Sequence, residues 1–412
     1  RGSTSSAPQA KRLVRRGVGV RSIGDGMGDL LLVVGSPGIL GSASAWSNLS
    51  AMKRYPAFDP PEYVDWRPDP ELVAGYATAW EAVPARKEIV GRLKSTALMG
   101  LYAGMVRARL HDIMLKRWVR QGVISKAWLG TGEEATTIGP VHALDRECDV
   151  VAPMIRNAGA CCDMGMAVAD MLRGYLGTYD SPSKGRDGHV GALAHRVLQP
   201  ISNIGNMPAV TIGIALAFRL RNEPGVALTW VGDGSVKSGP THEAFNFAAA
   251  QRLPVIFIIQ NNQVALGTPV RQHHRPADFS EVHKAYGCAG WSFDGNNVID
   301  AYAATRIAAE RCRNGDGPVI LDAETFRMGG HATHDEQEAR RLFDAATFTY
   351  WGKRDPIGLY EEYLVSMGVP RGELERLEAE VAGDVDRAAA EALDSRSRNM
   401  PPPASALDDV YA

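Results

Sequence analysis

Two short apolar runs end in polar punctuation that a parallel sheet would bring together. The run 226–231 stops at Gly232-Asp233-Gly234, and the run 255–259 leads into Asn261-Asn262. Between them, residues 240–251 carry a helical pattern opened by Pro240, a residue suited to a first turn. Asp233 and Asn262 thus stand about 30 residues apart, the span of one strand–helix–strand unit. Apolar runs without alternation fit strands covered on both faces, as in parallel sheets. Such units cross over right-handed and place both carboxyl strand ends on one edge, where ligands of open α/β sheets bind. A carboxylate and an amide oxygen at that edge are hard ligands suited to Mg²⁺, which takes six oxygens and often shares a phosphate. The glycines beside Asp233 let backbone N–H groups come close to a diphosphate. Either motif alone reads as a tight turn. Their pairing at two strand ends gives them chemical meaning.

Bulk properties bound the rest. The chain has 412 residues, with 45 Lys and Arg against 47 Asp and Glu, a net charge of −2. That balance excludes a nucleic-acid binder relying on a broad basic field. No stretch approaches the roughly 18 uninterrupted apolar residues of a membrane span. The five cysteines form no C-x-x-C pair, which argues against a disulfide framework and a structural zinc site. Cys161-Cys162 reads as buried packing, since adjacent cysteines make a poor redox pair. The expectation is a soluble enzyme or interaction protein of two or three domains, or one large α/β domain with extensions.

The organisation is expected as follows. Residues 1–55 are an extension. Its first 24 residues contain no acid and carry Arg1, Lys11, Arg12, Arg15, Arg16 and Arg21. They read as a disordered extension, as an organelle transit peptide, or as a secretory signal, the last opposed by Asp29 and Ser36-Pro37-Gly38. Residues 56–92 are a connector and the start of a helical arm; Pro56, Pro60, Pro61, Pro68 and Pro70 predict an extended, surface-hugging path. Apolar spacing predicts a helix over 89–121, capped by Gly122. Residues 178–206 read as a long functional loop. Helices are predicted over 208–220, 240–251 and 298–313, and strands over 226–231, 255–259 and from 319. The fold class is α/β, a doubly wound parallel sheet within residues 93–368, with helical N- and C-terminal flanks. Residues 369–412 form a C-terminal helix and tail.

The residues between the two motifs narrow the reading. Thr241-His242-Glu243-Ala244-Phe245-Asn246-Phe247-Ala248-Ala249 and Leu253-Pro254-Val255-Ile256-Phe257 resemble the alpha subunit of the decarboxylating component of 2-oxo acid dehydrogenase complexes. Gly232-Asp233-Gly234 with Asn261-Asn262 resembles that family's thiamine diphosphate and magnesium motif. The resemblance covers about residues 93–368. It includes Tyr102, Met105, Arg109 and Asp112, then Gly132-Glu133-Glu134-Ala135, Lys184-Gly185-Arg186, Asp294-Gly295-Asn296, Gly330-His331 and Asp355-Pro356-Ile357.

The resemblance implies the fold's diphosphate-binding half, with thiamine diphosphate and Mg²⁺ as cofactors. Asp233, the Asn262 side chain and the Val264 carbonyl would hold the metal. Gly232, Gly234, Ser235, Arg156 and Arg327 would hold the diphosphate, and Ile204 would lie against the aminopyrimidine. His331 is the catalytic candidate, facing the substrate and aiding acylation of the lipoyl group. It precedes an acidic, mobile loop at 335–338. His334, His273 and His274 have no matching role and are expected to be structural.

There are departures from the family pattern. Ile155 stands where the family has Tyr, Ala158 where the pyruvate branch has His, and Ala332 where animal members carry a phosphorylated serine. Arg340-Arg341 replaces a Tyr-Arg pair. Arg156-Asn157-Ala158-Gly159 leans towards branched-chain 2-oxo acids over pyruvate. The implied partners are a beta subunit completing the active site in an α₂β₂ heterotetramer, a lipoyl-bearing acyltransferase and a 2-oxo acid substrate. No nucleic acid and no membrane span are expected. The compartment would be the cytoplasm in a bacterium, or the mitochondrial matrix if the basic N-terminus is a transit peptide. An acetoin dehydrogenase-like or specialised-metabolism subunit, and a cofactor-binding scaffold of impaired activity, are the alternatives.

Overall fold

The computed structural model describes residues 52–276 and 278–408, so the basic N-terminus and its three readings lie outside the described residues. Five strands form one sheet: β1 (Val150–Ala152), β2 (Ala227–Gly232), β3 (Val255–Asn261), β4 (Ala289–Asp294) and β5 (Val319–Glu324). Their order is β1-β2-β3-β5-β4, and every pairing is parallel. The main helices are α1 (Ser95–Arg120), α2 (Glu134–His142), α3 (Asn206–Arg221), α4 (Gly239–Ala250), α5 (Val298–Arg313) and α6 (Arg371–Arg398).

The apolar strands are covered on both sides, as their unbroken patterns require. Leu228, Trp230, Ile256, Ile258 and Leu321 share one core with Ala301, Ala304 and Ala308 of α5. Ala227, Val231, Phe257 and Ile259 share another with Phe218 of α3 and Phe245 of α4. This is the doubly wound arrangement expected. Cys161 packs in the first of these cores, and all five cysteines are free thiols. Among the described residues, no helix is long and apolar enough to cross a membrane.

Three local readings need correction. The Pro-rich stretch is not an extended surface path. Pro61 and Pro70 each open a short helix, Pro61–Val64 and Pro70–Gly75, because a fixed φ and a missing N–H suit a first turn. Tyr63 and Trp66 are buried, and the Trp66 indole donates to the Lys353 carbonyl at 3.2 Å. The predicted helix over 89–121 is two helices, Pro84–Gly91 and α1, broken at residues 92–94. Arg86 fixes the direction of the first helix. It ties the start of the first helix to Asp300 of α5 at 2.8 Å and to the Ser292 carbonyl of β4 at 2.6 Å, while Val90, Leu93 and α1 pack on the helical core. Strands β1 and β4 were not foreseen; β1 has three residues, and β4 is a half-exposed edge.

A buried ionic cluster joins α1 to α2 and to the segments around Asp59 and Asp355. The wholly buried Arg109 of α1 pairs with Glu134 of α2, with Asp355 at 3.1 Å and with Asp59 at 3.9 Å, and lies over the Tyr63 ring at 4.7 Å. Arg54 adds a second bond to Asp355 at 2.6 Å. Removing one partner of a buried pair strands the others, at a cost of about 3–5 kcal/mol. Arg109→Met is expected to lower unfolding stability by about that amount in urea titration. A loss below about 1 kcal/mol would show that the cluster does not hold the arm in place.

Candidate active site

The in-register pairing of β2 with β3 sets Gly232 opposite Gln260, so the segments that follow diverge from one edge of the sheet. Asp233 and Asn262 stand there, each 2% exposed. The Asp233 carboxylate accepts from the Gly234 N–H at 2.9 Å through Oδ1, while Oδ2 is buried without a hydrogen-bond partner. Burial pushes this carboxyl up to about 6, opposed by the Gly234 N–H and by the charges of Arg156 and Arg327. The Asn262 amide donates from Nδ2 to Glu133 at 2.8 Å, which turns Oδ1 towards the Val264 N–H at 3.3 Å. Val264 opens a tight hairpin opposite Pro269, a residue with no N–H to offer its carbonyl.

A cavity of about 560 Å³ opens beside these groups, lined by Arg156, Ile204, Gly232, Asp233, Gly234, Ser235, Asn262, Val264 and His331. The structure therefore gathers every expected site residue at the lining except Arg327. That residue sits just behind, donating to the Leu266 carbonyl at 2.9 Å and the Gly329 carbonyl at 3.3 Å. Leu266, Trp128, Met154, Ile155 and Ile201 add an apolar wall. Gly234 has no room for a side chain: a Cβ there would lie 2.4 Å from the Ala265 Cβ.

The electrostatics of the cavity call for an anion. The Nε and Nη1 groups of Arg156 and Nη1 of Arg327 are buried and donate no hydrogen bond. Burial and the neighbouring Arg156 pull Arg327 down to about 10. Two desolvated guanidiniums with spare donors in a fork geometry match a phosphate group. Beside them, the unpartnered Asp233 oxygen and the held Asn262 amide form an oxygen set fit for a hard cation.

His331 completes the arrangement. Arg156 Nη2 lies 3.2 Å from its Nδ1. A guanidinium can only donate, so Nδ1 accepts and the neutral ring carries its proton on Nε2. Burial, then Arg156 and Arg327, push this imidazole down to about 4. The following segment is not an open loop. Asp335 accepts from the backbone N–H groups of His331 at 3.2 Å and Ala332 at 2.8 Å. Residues Glu336–Arg340 are helical, with Glu336 on Lys116 at 2.6 Å and Arg340 paired with Glu62. The Arg340 departure thus acquires its own partner, and its guanidinium also lies over Phe348 at 4.3 Å.

Glu133 is the residue that sequence reading missed. Fully buried, it accepts from both Gln260 and Asn262, and its other oxygen lies 3.7 Å from Arg156. It stands at the entry of α2, remote in sequence from the residues it holds. Only the juxtaposition of α2 with the β3 end reveals its role.

Residues 102–401 match the family model described as "Dehydrogenase E1 component". The chain belongs to that family. It is 33% identical over 318 residues, covering 76% of this chain and 94% of the relative, to the 2-oxoisovalerate dehydrogenase subunit alpha of Bacillus subtilis (strain 168). It is 27% identical over 400 residues, 92% of this chain and 89% of the other, to the mitochondrial 2-oxoisovalerate dehydrogenase subunit alpha of Mus musculus. It is 29% identical over 297 residues, 72% and 83% respectively, to the pyruvate dehydrogenase E1 component subunit alpha of Acholeplasma laidlawii. Membership makes this chain the alpha-type component of a 2-oxo acid dehydrogenase, and it implies thiamine diphosphate and a beta-type partner.

The depressed His331 value has a testable sign. Between its ordinary value and about 4, the unfolded chain binds a proton that the folded one does not. This group's contribution to stability is therefore complete above the ordinary histidine range and is lost as pH falls through that window. In difference NMR titrations against His331→Gln, the His331 ring should titrate near 4 in the chain alone, and higher once pyrophosphate neutralises the two arginines. An ordinary midpoint without added anion would contradict the assignment.

Proposed function

We propose that this E1 alpha chain holds thiamine diphosphate and Mg²⁺ in the cavity at the β2 and β3 ends. Arg156 and Arg327, with Gly232, Gly234 and Ser235, hold the diphosphate. Asp233, the Asn262 side chain and the Val264 carbonyl hold the metal. The observation that carries this reading is a set of buried atoms at one point with no hydrogen-bond partner: Nε and Nη1 of Arg156 and Nη1 of Arg327 beside Oδ2 of Asp233. When bound, thiamine diphosphate would supply a nucleophilic carbon for the oxo group and a cationic ring to take up the electron pair released as a 2-oxo acid loses carbon dioxide.

The chain's own part is binding, orientation and proton placement. Glu133 fixes the Asn262 amide, so Oδ1, which accepts only a long bond from the Val264 N–H, is turned away from Glu133 and can serve the cation. The Asp233 carboxyl, raised by burial, is ionised by the cation it binds. His331 holds a proton at Nε2 at the cavity wall, where it serves as donor to the reacting substrate and to the acyl-accepting lipoyl group. Ile204 lies against the aminopyrimidine. The wall of Ile155, Met154 and Leu266 suits an aliphatic side chain, and branched-chain 2-oxo acids are the substrate class favoured over pyruvate. The relatives from B. subtilis and mouse, both 2-oxoisovalerate dehydrogenases by name, support that preference.

A beta subunit supplies the other half of the site in an α₂β₂ assembly that feeds a lipoyl-bearing acyltransferase. Ile204 at the cavity and Val210 and Leu220 on α3 are 66%, 48% and 73% exposed, a surface suited to that partner. On this reading the chain works in the bacterial cytoplasm, or in the mitochondrial matrix where its N-terminus is a transit peptide.

Co-purified with its beta subunit, the chain should decarboxylate 3-methyl-2-oxobutanoate faster than pyruvate, and only with thiamine diphosphate and Mg²⁺. Asp233→Ala should reduce the rate at least 100-fold, in the range lost with a key electrostatic group. The chain alone should be inactive. Undiminished activity in Asp233→Ala, or full activity without a partner, would refute the assignment.

A further inference from the structure

His273 has no role in the site described above and does not line the cavity. It ends the short helix Val270–His273, directly after the hairpin that carries Val264. The hairpin's return aims this imidazole back at the β2 end, and His273 Nε2 lies 3.7 Å from Asp233 Oδ2. Three atoms here are buried and lack any hydrogen-bond partner: Asp233 Oδ2 and both ring nitrogens of His273. Native structures leave few such atoms unpaired. The neighbouring imidazole is differently placed: His274 stacks on Phe279 at 3.9 Å and meets the Asp278 carbonyl at 3.0 Å. His273 is therefore the ring with donor capacity to spare.

An imidazole carries at least one N–H in every protonation state. Closing the gap to a normal N–H···O distance takes a movement of about 1 Å. The bond would pair His273 Nε2 with one lone pair of Asp233 Oδ2 and leave the oxygen's other lone pair for the cation. It would also complete the support of the carboxylate, since the Gly234 N–H already occupies Oδ1. Carboxylates that bind metals are generally held by such outer partners, and losing one typically weakens metal affinity about 10–100-fold.

We propose that His273 is a positioning residue that donates from Nε2 to Oδ2 of Asp233 and holds this carboxylate in its metal-binding orientation. The proposal rests on the metal site proposed above. The sequence gives His273 no such role, because the contact depends on how tightly the hairpin returns.

The test uses the full chain co-purified with its beta subunit, and reads Mn²⁺ affinity by electron paramagnetic resonance in the presence of thiamine diphosphate. His273→Ala should weaken Mn²⁺ binding about 10-fold or more. His273→Gln, which places an amide N–H near the Nε2 position, should recover most of that loss. The melting temperature of His273→Gln without metal should match the parent. Asp233→Asn serves as the control for the underlying site. If Asp233→Asn loses Mn²⁺ affinity while His273→Ala keeps it, the positioning role is overturned and the metal site stands. If Asp233→Asn binds Mn²⁺ as the parent does, the metal site itself falls. If His273→Gln binds as weakly as His273→Ala, the hydrogen-bond role is refuted in favour of simple packing.

Discussion

The parallel register of β2 and β3 is the constraint on which the site depends. It brings Asp233 and Asn262, distant in sequence, to one edge of a sheet covered on both faces. Parallel neighbours leave their carboxyl ends open at such an edge. The chain fills it with charged groups whose hydrogen-bonding capacity it does not use up. Arg156 arrives from the end of β1, Arg327 from the end of β5, and His331 four residues later. With Asp233 and Asn262 they come from the ends of β1, β2, β3 and β5, so no single local motif creates the site.

The charges are organised in depth. Glu133 is the hub: it takes the amides of Gln260 and Asn262 on one oxygen and faces Arg156 with the other. Buried polar groups of this kind are costly unless satisfied, and satisfied networks specify one geometry. Behind it, Glu134, the next residue, anchors to Arg109 in the ionic cluster that joins the helical arm. Two adjacent acids at the start of α2 thus divide their work, one towards the site and one towards the scaffold. The segment after His331 is bound to the same scaffold through Lys116 and Glu62.

Much of this was legible in the sequence, for physical reasons that differ from place to place. The strands 226–231 and 255–259 and the helix 298–313 were readable because continuous apolar runs and helical spacing report burial directly; Val298–Arg313 has the predicted bounds. The family resemblance named the residues that, Arg327 apart, line one cavity. Strand β1 escaped because three residues carry no period, and β4 because an edge strand is only half buried. The break before Ser95 escaped because the apolar spacing continues across it through Val90 and Leu93, which pack on the same core as α1. The roles of Glu133 and His273 were illegible because each acts on a residue supplied by another part of the chain.

Diffraction at the manganese anomalous edge, from crystals of the α–β assembly grown with Mn²⁺ and thiamine diphosphate, tests the central claim most directly. The account predicts an anomalous peak within coordinating distance of Asp233, Asn262 and the Val264 carbonyl, with the diphosphate against Arg156 and Arg327. A peak elsewhere, or a diphosphate that leaves both guanidiniums untouched, would contradict it.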